Sequence, residues 1–147
     1  MATKNDKANN RFYPIEDFVS IASHLTIIPA KSILSLDHYE LRESICIIDK
    51  KEQEFCFPQY FSSDGGSIPW AVRVMFPPGG RALPAYIIHD YYCDKATRSG
   101  LYRYREIGDK QFYQHLRDCG YARWRAWPMS KAVIGYGKYM KLTGKLK

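Results

Sequence analysis

The feature that most constrains the fold is a glycine- and proline-rich middle segment, residues 58–84. It contains the motif Ser-Asp-Gly-Gly-Ser-Ile-Pro at positions 63–69 and the run Pro-Pro-Gly-Gly at 77–80. Glycine and proline at this density favour turns over regular elements. The segment therefore separates two parts of the chain whose sequence patterns predict different secondary structure.

The part before the middle segment has the pattern of strands. Residues 39–48 are rich in alternating and β-branched side chains, a polar break follows at 49–53, and residues 54–57 are again mostly apolar. Two apolar runs around a short charged break predict a β-hairpin. Residues 1–11 are polar, and we expect them to be flexible. The mixed apolar spacing of residues 15–28 does not decide between helix and strand.

The part after the middle segment has the pattern of helices. Pro84 suits a first helical turn, and positions 86, 89, 90 and 93 follow with the spacing of one helix face. This helix is predicted to end near residues 99–100, a second to run from about 107–109 to Gly120, and a third to cover 130–139. We therefore predict an α+β fold with a small β-hairpin and about three helices, in a single domain over residues 12–147.

Composition excludes several classes of protein. The chain has 147 residues, 46% of them hydrophobic and 25% charged, which is typical of a folded domain. No apolar stretch is long enough to cross a bilayer, and residues 1–10 lack the apolar core of a secretory signal. We therefore expect a protein that is not exported by a signal peptide and has no transmembrane segment.

The four cysteines show no metal-binding spacing. They lie at positions 46, 56, 93 and 119, without a Cys-x-x-Cys pair. In a chain without a signal peptide we expect them to be reduced thiols in apolar positions. A disulfide between Cys46 and Cys56, facing each other across the hairpin, is the alternative.

The charge balance predicts an anionic partner. There are 22 Lys and Arg residues against 15 Asp and Glu, a formal net charge of +7. Residues 121–127 and 138–147 interleave Arg and Lys with Trp and Tyr, a pattern typical of a membrane interface or a single-strand nucleic-acid surface. The alternative is a solvated basic helix end that binds no partner. No nucleic-acid-binding module is recognisable, so nucleic acid is the less favoured partner.

Three polar residues in the helical part could carry chemistry. His89 on a helix could act as a general base, and the neighbouring Asp90 could bind a hard cation. Asp109 follows 20 residues after His89, so an antiparallel helix pair would bring its carboxylate beside the imidazole and support its positive charge. The alternatives are a structural histidine, a solvated Asp90, and an Asp109 that stabilises a helix N-terminus.

The glycine motif at 63–69 is a candidate ligand loop. The Asp64 carboxylate and the carbonyl oxygens of Gly65 and Gly66 are of the type that Ca²⁺ prefers. The backbone N–H groups of the loop could instead stabilise an oxyanion. A tight turn closed by Pro69 is the structural alternative.

Taken in order, three motifs resemble a known family. Ser-Asp-Gly-Gly-Ser-Ile-Pro at 63–69, Ile-His-Asp at 88–90 and Gly-Asp-Lys-Gln-Phe at 108–112 are similar to T-D-G-A-S-[IV]-P, H-D and A-D-x-x-F of a family of unassigned function in tailed bacteriophages and prophages. The resemblance covers about residues 36–140. It implies a phage or prophage origin, a place in the bacterial cytoplasm or the virion, and other phage proteins as possible partners.

A second, more distant resemblance suggests an activity. His89-Asp90, Ser99-Gly100, a tyrosine-containing loop at 102–104 and the later Asp109 are similar to the compact phospholipase A2 domains of parvovirus capsids. The resemblance implies that His89 activates water and that Asp109 supports it. It also implies that Asp90 binds Ca²⁺, with Asp64, Gly65 and Gly66 as loop ligands.

The sequence therefore leaves two functional hypotheses. The first is a Ca²⁺-dependent, phospholipase A2-like ester hydrolase that acts on lipid at an anionic phospholipid surface. The second is a non-enzymatic virion or assembly component, or a host-directed binding protein, in which the same residues form a buried polar network.

Overall fold

A computed structural model of the chain describes residues 11–28, 38–63 and 80–147, and these residues form an α+β fold as predicted. The strands are β1 Arg11–Pro14, β2 Leu25–Ile28, β3 His38–Leu41, β4 Ile45–Ile48, β5 Glu54–Phe57 and β6 Ser62–Ser63. The helices are α1 Phe18–Ala22, α2 Leu83–Ser99, α3 Tyr102–Asp118 and α4 Arg123–Leu142, with a 3-10 turn at Gly80–Ala82 before α2. The glycine motif lies largely outside the described residues.

The predicted hairpin is confirmed as strands β4 and β5. They pair antiparallel, and β1 adds to the other edge of β4 in parallel. A second sheet has the order β2-β3-β6, with antiparallel pairing throughout. The sequence placed residues 39–48 in one strand, which is wrong. Polar residues at 42–44 end β3, and residues 38–41 belong to the second sheet.

Cys46 and Cys56 form a disulfide, so the expectation of four reduced thiols is wrong for this pair. The hairpin register places the two residues directly opposite each other, with their Cα atoms 4.0 Å apart. Directly opposite side chains on neighbouring strands lie within bonding reach. Cys93 and Cys119 are free and buried, as expected.

Helices α2 and α3 form an antiparallel pair joined by two residues. Gly100 ends α2 with a left-handed backbone at φ 71°, which confirms the predicted end of this helix. However, α3 begins at Tyr102, earlier than predicted, and the tyrosines at 102 and 104 are helical rather than in a loop. The helix begins earlier because no residue at 101–106 breaks a helix and because Gly108 is tolerated inside one. The third helix also begins earlier, at Arg123, with Pro128 in its second turn.

A close approach of α2 and α3 fixes their spacing. A Cβ atom placed on Gly108 would lie 2.7 Å from the Cβ of Tyr92, so only glycine fits at this crossing. The main core lies between the helices and the β4–β5 side of the sheet. Its fully buried members include Ile45, Ile47, Phe57, Ile87, Ile88, Phe112, Leu116 and Met129.

A buried hydrogen bond joins the hairpin turn to the helices. Asp49 follows β4, and its Oδ2 atom lies 3.1 Å from Nε2 of His115 on α3. Its Oδ1 atom accepts hydrogen bonds of 2.9 Å from the backbone N–H groups of Lys51 and Gln53. Burial lowers the pKa of His115, although the carboxylate of Asp49 opposes this shift. One side chain thus organises the turn and attaches it to α3.

Replacing Asp49 should therefore destabilise the fold. We expect Asp49→Ala to lower the free energy of unfolding by about 3 kcal/mol, because the buried imidazole of His115 and two backbone N–H groups of the turn lose their acceptor. Denaturant unfolding followed by circular dichroism measures this loss. The matched control is Asp94→Ala, which removes a solvent-exposed ion pair with Arg98 and should cost about 0.5 kcal/mol or less. Equal losses in the two variants would contradict the role assigned to Asp49.

Candidate functional site

The structure brings His89 and Asp109 into direct contact. Nε2 of His89 on α2 lies 2.7 Å from Oδ1 of Asp109 on α3. The antiparallel pairing of the two helices produces this contact, which confirms the proximity predicted from the sequence. Both side chains are buried, with 1% and 2% exposure respectively.

Asp109 also holds a buried arginine. Nε of Arg105, one turn earlier on α3, lies 3.4 Å from Oδ2 of Asp109. The Arg105 guanidinium also donates to the backbone carbonyl of Val133 on α4, at 3.3 Å. Asp109 lies in the middle of α3, so the alternative that it stabilises a helix N-terminus is wrong. Arg105 was not predicted from the sequence, although its i, i+4 spacing to Asp109 is an available signal in a helix that begins at residue 102.

Helix α4 closes over this pair through a glycine. A Cβ atom on Gly137 would lie 2.5 Å from Oδ2 of Asp109 and 2.9 Å from Nε of Arg105. The absence of a side chain at position 137 therefore lets α4 pack directly against the charged groups. The cluster ties all three long helices together.

Cys93 completes the cluster by placing its sulfur beside the imidazole of His89. It lies one turn after His89 on α2, and its Sγ atom is 3.7 Å from Nδ1 and 3.8 Å from Nε2 of His89. Because Nε2 is paired with Asp109, Nδ1 is the nitrogen left to exchange a proton with the thiol. Cys93 is 4% exposed, so the whole cluster is shielded from water.

The surroundings favour a protonated His89. Burial alone lowers its pKa, but the electrostatic interaction with Cys93 and the hydrogen bond with Asp109 outweigh burial and raise the pKa of His89 to about 10. The imidazole therefore holds its proton at neutral pH while an anionic partner is present. The protonated imidazole of His89 can donate a proton as a general acid, and the neutral imidazole that remains can then act as a general base.

Of the four predicted calcium ligands, only Asp90 is among the described residues. Asp90 is buried beside His89 on α2, whereas Asp64, Gly65 and Gly66 lie outside the described part of the chain. Calcium prefers six to eight oxygen ligands. Three of the four predicted ligands lie outside the described residues, so the calcium site stays a prediction.

A different donor set does lie close together. One ligand atom from each of His89, Cys93 and Asp109 falls within 4.8 Å of the others, the one such group of three in the described residues. Nitrogen and sulfur donors suit a borderline metal such as zinc rather than calcium. The buried positive charge of Arg105 beside Asp109 opposes a second cation at this position.

The groove beside β6 is a separate feature. It has a volume of about 530 Å³, and its walls include Tyr60, Phe61, Tyr91, Asp94 and Arg98. Positions 91, 94 and 98 lie on the side of α2 opposite to positions 89 and 93. The groove therefore does not open onto the His89 cluster.

The outer face of α4 is basic and aromatic. At 100° per residue, the exposed positions 124, 127, 131, 138, 139 and 142 fall on one side of the helix. Trp124, Trp127 and Leu142 are 75%, 57% and 86% exposed, and the Nζ atom of Lys131 lies 5.7 Å from the Trp127 ring. No helix in the described ranges is long and apolar enough to cross a membrane. The face thus offers apolar rings and cations side by side at the surface.

Comparison with known proteins places the chain in a family. Residues 39–133, more than half of the chain, match the model of a family described as "Protein of unknown function (DUF1353)", and the chain belongs to this family. It is 31% identical over 111 residues to the uncharacterized protein y4jT of Sinorhizobium fredii. The match covers 74% of this chain and 31% of that protein, so the chain spans less than a third of its relative. No solved structure matches.

These matches confirm part of the sequence interpretation. The expected membership of a family without an assigned function is confirmed. The phage origin and the phospholipase A2 likeness stay predictions, as do the bacterial cytoplasm or virion as location and other phage proteins as partners.

The glycine at the α4 crossing provides a direct test of the cluster. We expect Gly137→Ala to lower the free energy of unfolding by about 1–3 kcal/mol, because the added methyl group displaces Asp109 or Arg105. Gly135→Ala is the matched control, since a Cβ there meets nothing within 4 Å. The control should gain about 0.5–1 kcal/mol from higher helix propensity. Thermal unfolding of both variants measures the difference, and two stabilised variants would contradict the packing described.

Proposed function

We propose that the chain is a hydrolase of acyl esters that works at an anionic lipid surface, with His89 as its proton-transfer group. The observation that carries this proposal is the 2.7 Å bond between Nε2 of His89 and Oδ1 of Asp109. An imidazole held by a carboxylate through one nitrogen is oriented to move protons through the other. The geometry matches the role that the sequence resemblance implied for these two residues.

Asp109 has two effects in this proposal. Its carboxylate fixes which nitrogen of His89 faces the reaction, and it stabilises the positive charge of the imidazolium. Nδ1 then holds the proton that came from the attacking group and gives it to the departing alcohol oxygen. Arg105 holds the second oxygen of Asp109 and so keeps the carboxylate in place. Arg105 is a positioning residue, since it acts through Asp109.

The outer face of α4 supports a lipid surface as the place of action. Exposed tryptophans insert at the boundary between lipid headgroups and acyl chains, and lysines beside them attract anionic headgroups. Trp124, Trp127 and Lys131 supply this combination on one helix face. The formal net charge of +7 adds a longer-range attraction to an anionic membrane.

The proposal also includes a calcium ion at the site and a phage origin for the protein. Calcium held by Asp90 with Asp64, Gly65 and Gly66 would supply positive charge for an ester oxygen. The motif resemblance supports a protein made in an infected or lysogenic bacterium, with other phage proteins as partners.

The burial of the cluster favours a second candidate function. His89, Arg105 and Asp109 are each no more than 2% exposed, which is typical of a network that specifies a fold. The chain would then be a non-enzymatic virion or assembly component, or a binding protein directed at the host. In this case the cluster contributes only to stability.

Fatty-acid release from phosphatidylglycerol vesicles distinguishes the two functions. We expect His89→Gln and Asp109→Asn to lower the hydrolysis rate about a hundredfold or more, because proton transfer is lost. Asp94→Asn, on the exposed side of α2, is the control and should keep the parent rate. Parallel assays with calcium and with chelator test the predicted ion.

The opposite pattern would support the second function. Folded parent protein that releases no fatty acid, combined with a large loss of stability in His89→Gln, would identify the cluster as structural.

Vesicle binding tests the α4 face separately from chemistry. We expect the double variant Trp124→Ala/Trp127→Ala to bind phosphatidylglycerol vesicles about tenfold more weakly or worse, because two apolar anchors are lost. Tyr60→Ala removes an exposed aromatic ring from another surface and serves as control. Sedimentation with vesicles at several salt concentrations measures the affinity. Unchanged vesicle affinity in the double variant, with tight and salt-sensitive binding of single-stranded DNA, would identify nucleic acid as the partner instead.

A further inference from the structure

We propose that Cys93 is the nucleophile of this site, so that Cys93, His89 and Asp109 form a thiol–imidazole–carboxylate triad for acyl transfer. The substrate class rests on the function proposed above, whereas the activation of the thiol does not. No residue role assigned from the sequence includes Cys93.

The proposed triad rests on two contacts of the His89 imidazole, with the Cys93 sulfur 3.7 Å from Nδ1 and 3.8 Å from Nε2 and the Asp109 carboxylate hydrogen-bonded to Nε2. The distance from Nε2 to Oδ1 of Asp109 is 2.7 Å. A nucleophile beside a base, with the base held by a third group, is the arrangement that activates cysteine in covalent catalysis. Contacts to sulfur in such sites are looser than ordinary hydrogen bonds before substrate binds.

The helix itself maintains the pair. Residues 89 and 93 are four apart on α2, so their side chains project from the same face one turn from each other. Helix α2 is a 17-residue helix packed against α3 by the glycine crossing at residue 108. The sulfur and the imidazole are therefore held on a rigid element rather than on a loop.

The other free cysteine, Cys119, provides a comparison, because it is a buried thiol with no basic side chain hydrogen-bonded to its sulfur in the described part of the chain. Cys119 is 5% exposed, against 4% for Cys93, but its Sγ atom lies 3.9 Å from the carbonyl oxygen of Ile15. Burial raises the pKa of Cys119 to about 12, which makes it an inert thiol at neutral pH. The two cysteines thus have equal burial and different chemistry.

The proposed reaction has two balanced steps. In the first, Sγ of Cys93, whose proton is held by Nδ1 of His89, bonds to the ester carbonyl carbon, and the carbon–oxygen bond to the alcohol breaks. The alcohol leaves with the proton from His89, and an acyl thioester remains on Cys93. In the second, His89 takes a proton from water, the oxygen of that water bonds to the thioester carbonyl, and the carbon–sulfur bond breaks. The products are a carboxylic acid and the original thiol, which regains the proton from His89.

Alkylation by iodoacetamide tests the activated thiol without a substrate. Sulfur displaces iodide, and peptide mass spectrometry gives the rate at each cysteine of the native protein. We expect Cys93 to react about tenfold faster than Cys119 or more at neutral pH, because only Cys93 has a base beside it. The ratio of the two rates is the readout, since any general opening of the fold exposes both residues.

The variant His89→Gln makes this test specific. We expect it to bring the ratio of the Cys93 and Cys119 rates to about one, because the glutamine cannot take the thiol proton. A ratio that is unchanged in His89→Gln would overturn the proposal, as would equal rates in the parent. Stoichiometric zinc in the purified protein, with alkylation of Cys93 only after chelation, would also overturn it, because the three side chains would then be metal ligands.

A p-nitrophenyl ester distinguishes this proposal from the hydrolase itself. We expect the parent to form a hydroxylamine-sensitive acyl group on the Cys93 peptide, and Cys93→Ala to lose both this group and turnover. Turnover that persists in Cys93→Ala but is lost in His89→Gln would leave the hydrolase in place and overturn the thiol nucleophile. A parent with fast, His89-dependent alkylation and no ester turnover would support the activated thiol and remove the ester as its substrate.

Discussion

The packing of the helical part of the structure depends on the contacts of one buried carboxylate, that of Asp109. Its two oxygens face two basic groups, the imidazole of His89 and the guanidinium of Arg105. A buried charge without partners is strongly unfavourable, and each of these three groups is buried almost completely. These contacts therefore constrain how the three long helices pack against one another. Helix α2 supplies the imidazole, α3 supplies the carboxylate and the guanidinium, and α4 supplies the carbonyl of Val133.

Much of the fold could be predicted from the sequence because it depends on local patterns. The β4–β5 hairpin followed from apolar runs around a polar break, and the end of α2 followed from Gly100. The contact of His89 with Asp109 followed from a separation of 20 residues across an antiparallel pair. The starts of α3 and α4 were missed because Gly108 and Pro128 are tolerated inside helices. The reason Gly108 is tolerated is its contact with Tyr92, which no local pattern shows.

The part of the site that could not be predicted depends on contacts from a third element or on chemistry. Arg105 can pair with Asp109 because α3 begins at residue 102, whereas the predicted helix began after residue 105. The disulfide between Cys46 and Cys56 was only an alternative at the sequence level, because it depends on the exact register of the hairpin and the length of the polar break does not determine that register. Cys93 was expected only to be a reduced thiol in an apolar position, and its contact with the imidazole is evident only in the three-dimensional arrangement.

The parallel pairing of β1 with β4 has a consequence for the order in which the chain folds. The helices α2 to α4 follow one another in sequence and pack as neighbours, so their contacts close short loops. Strand β1 instead pairs with residues more than 30 positions later, and the turn at Asp49 reaches His115 across 66 positions. Closing long loops costs more conformational entropy and slows folding. The helical part can thus assemble early, with the sheet and its N-terminal strand docking onto it last.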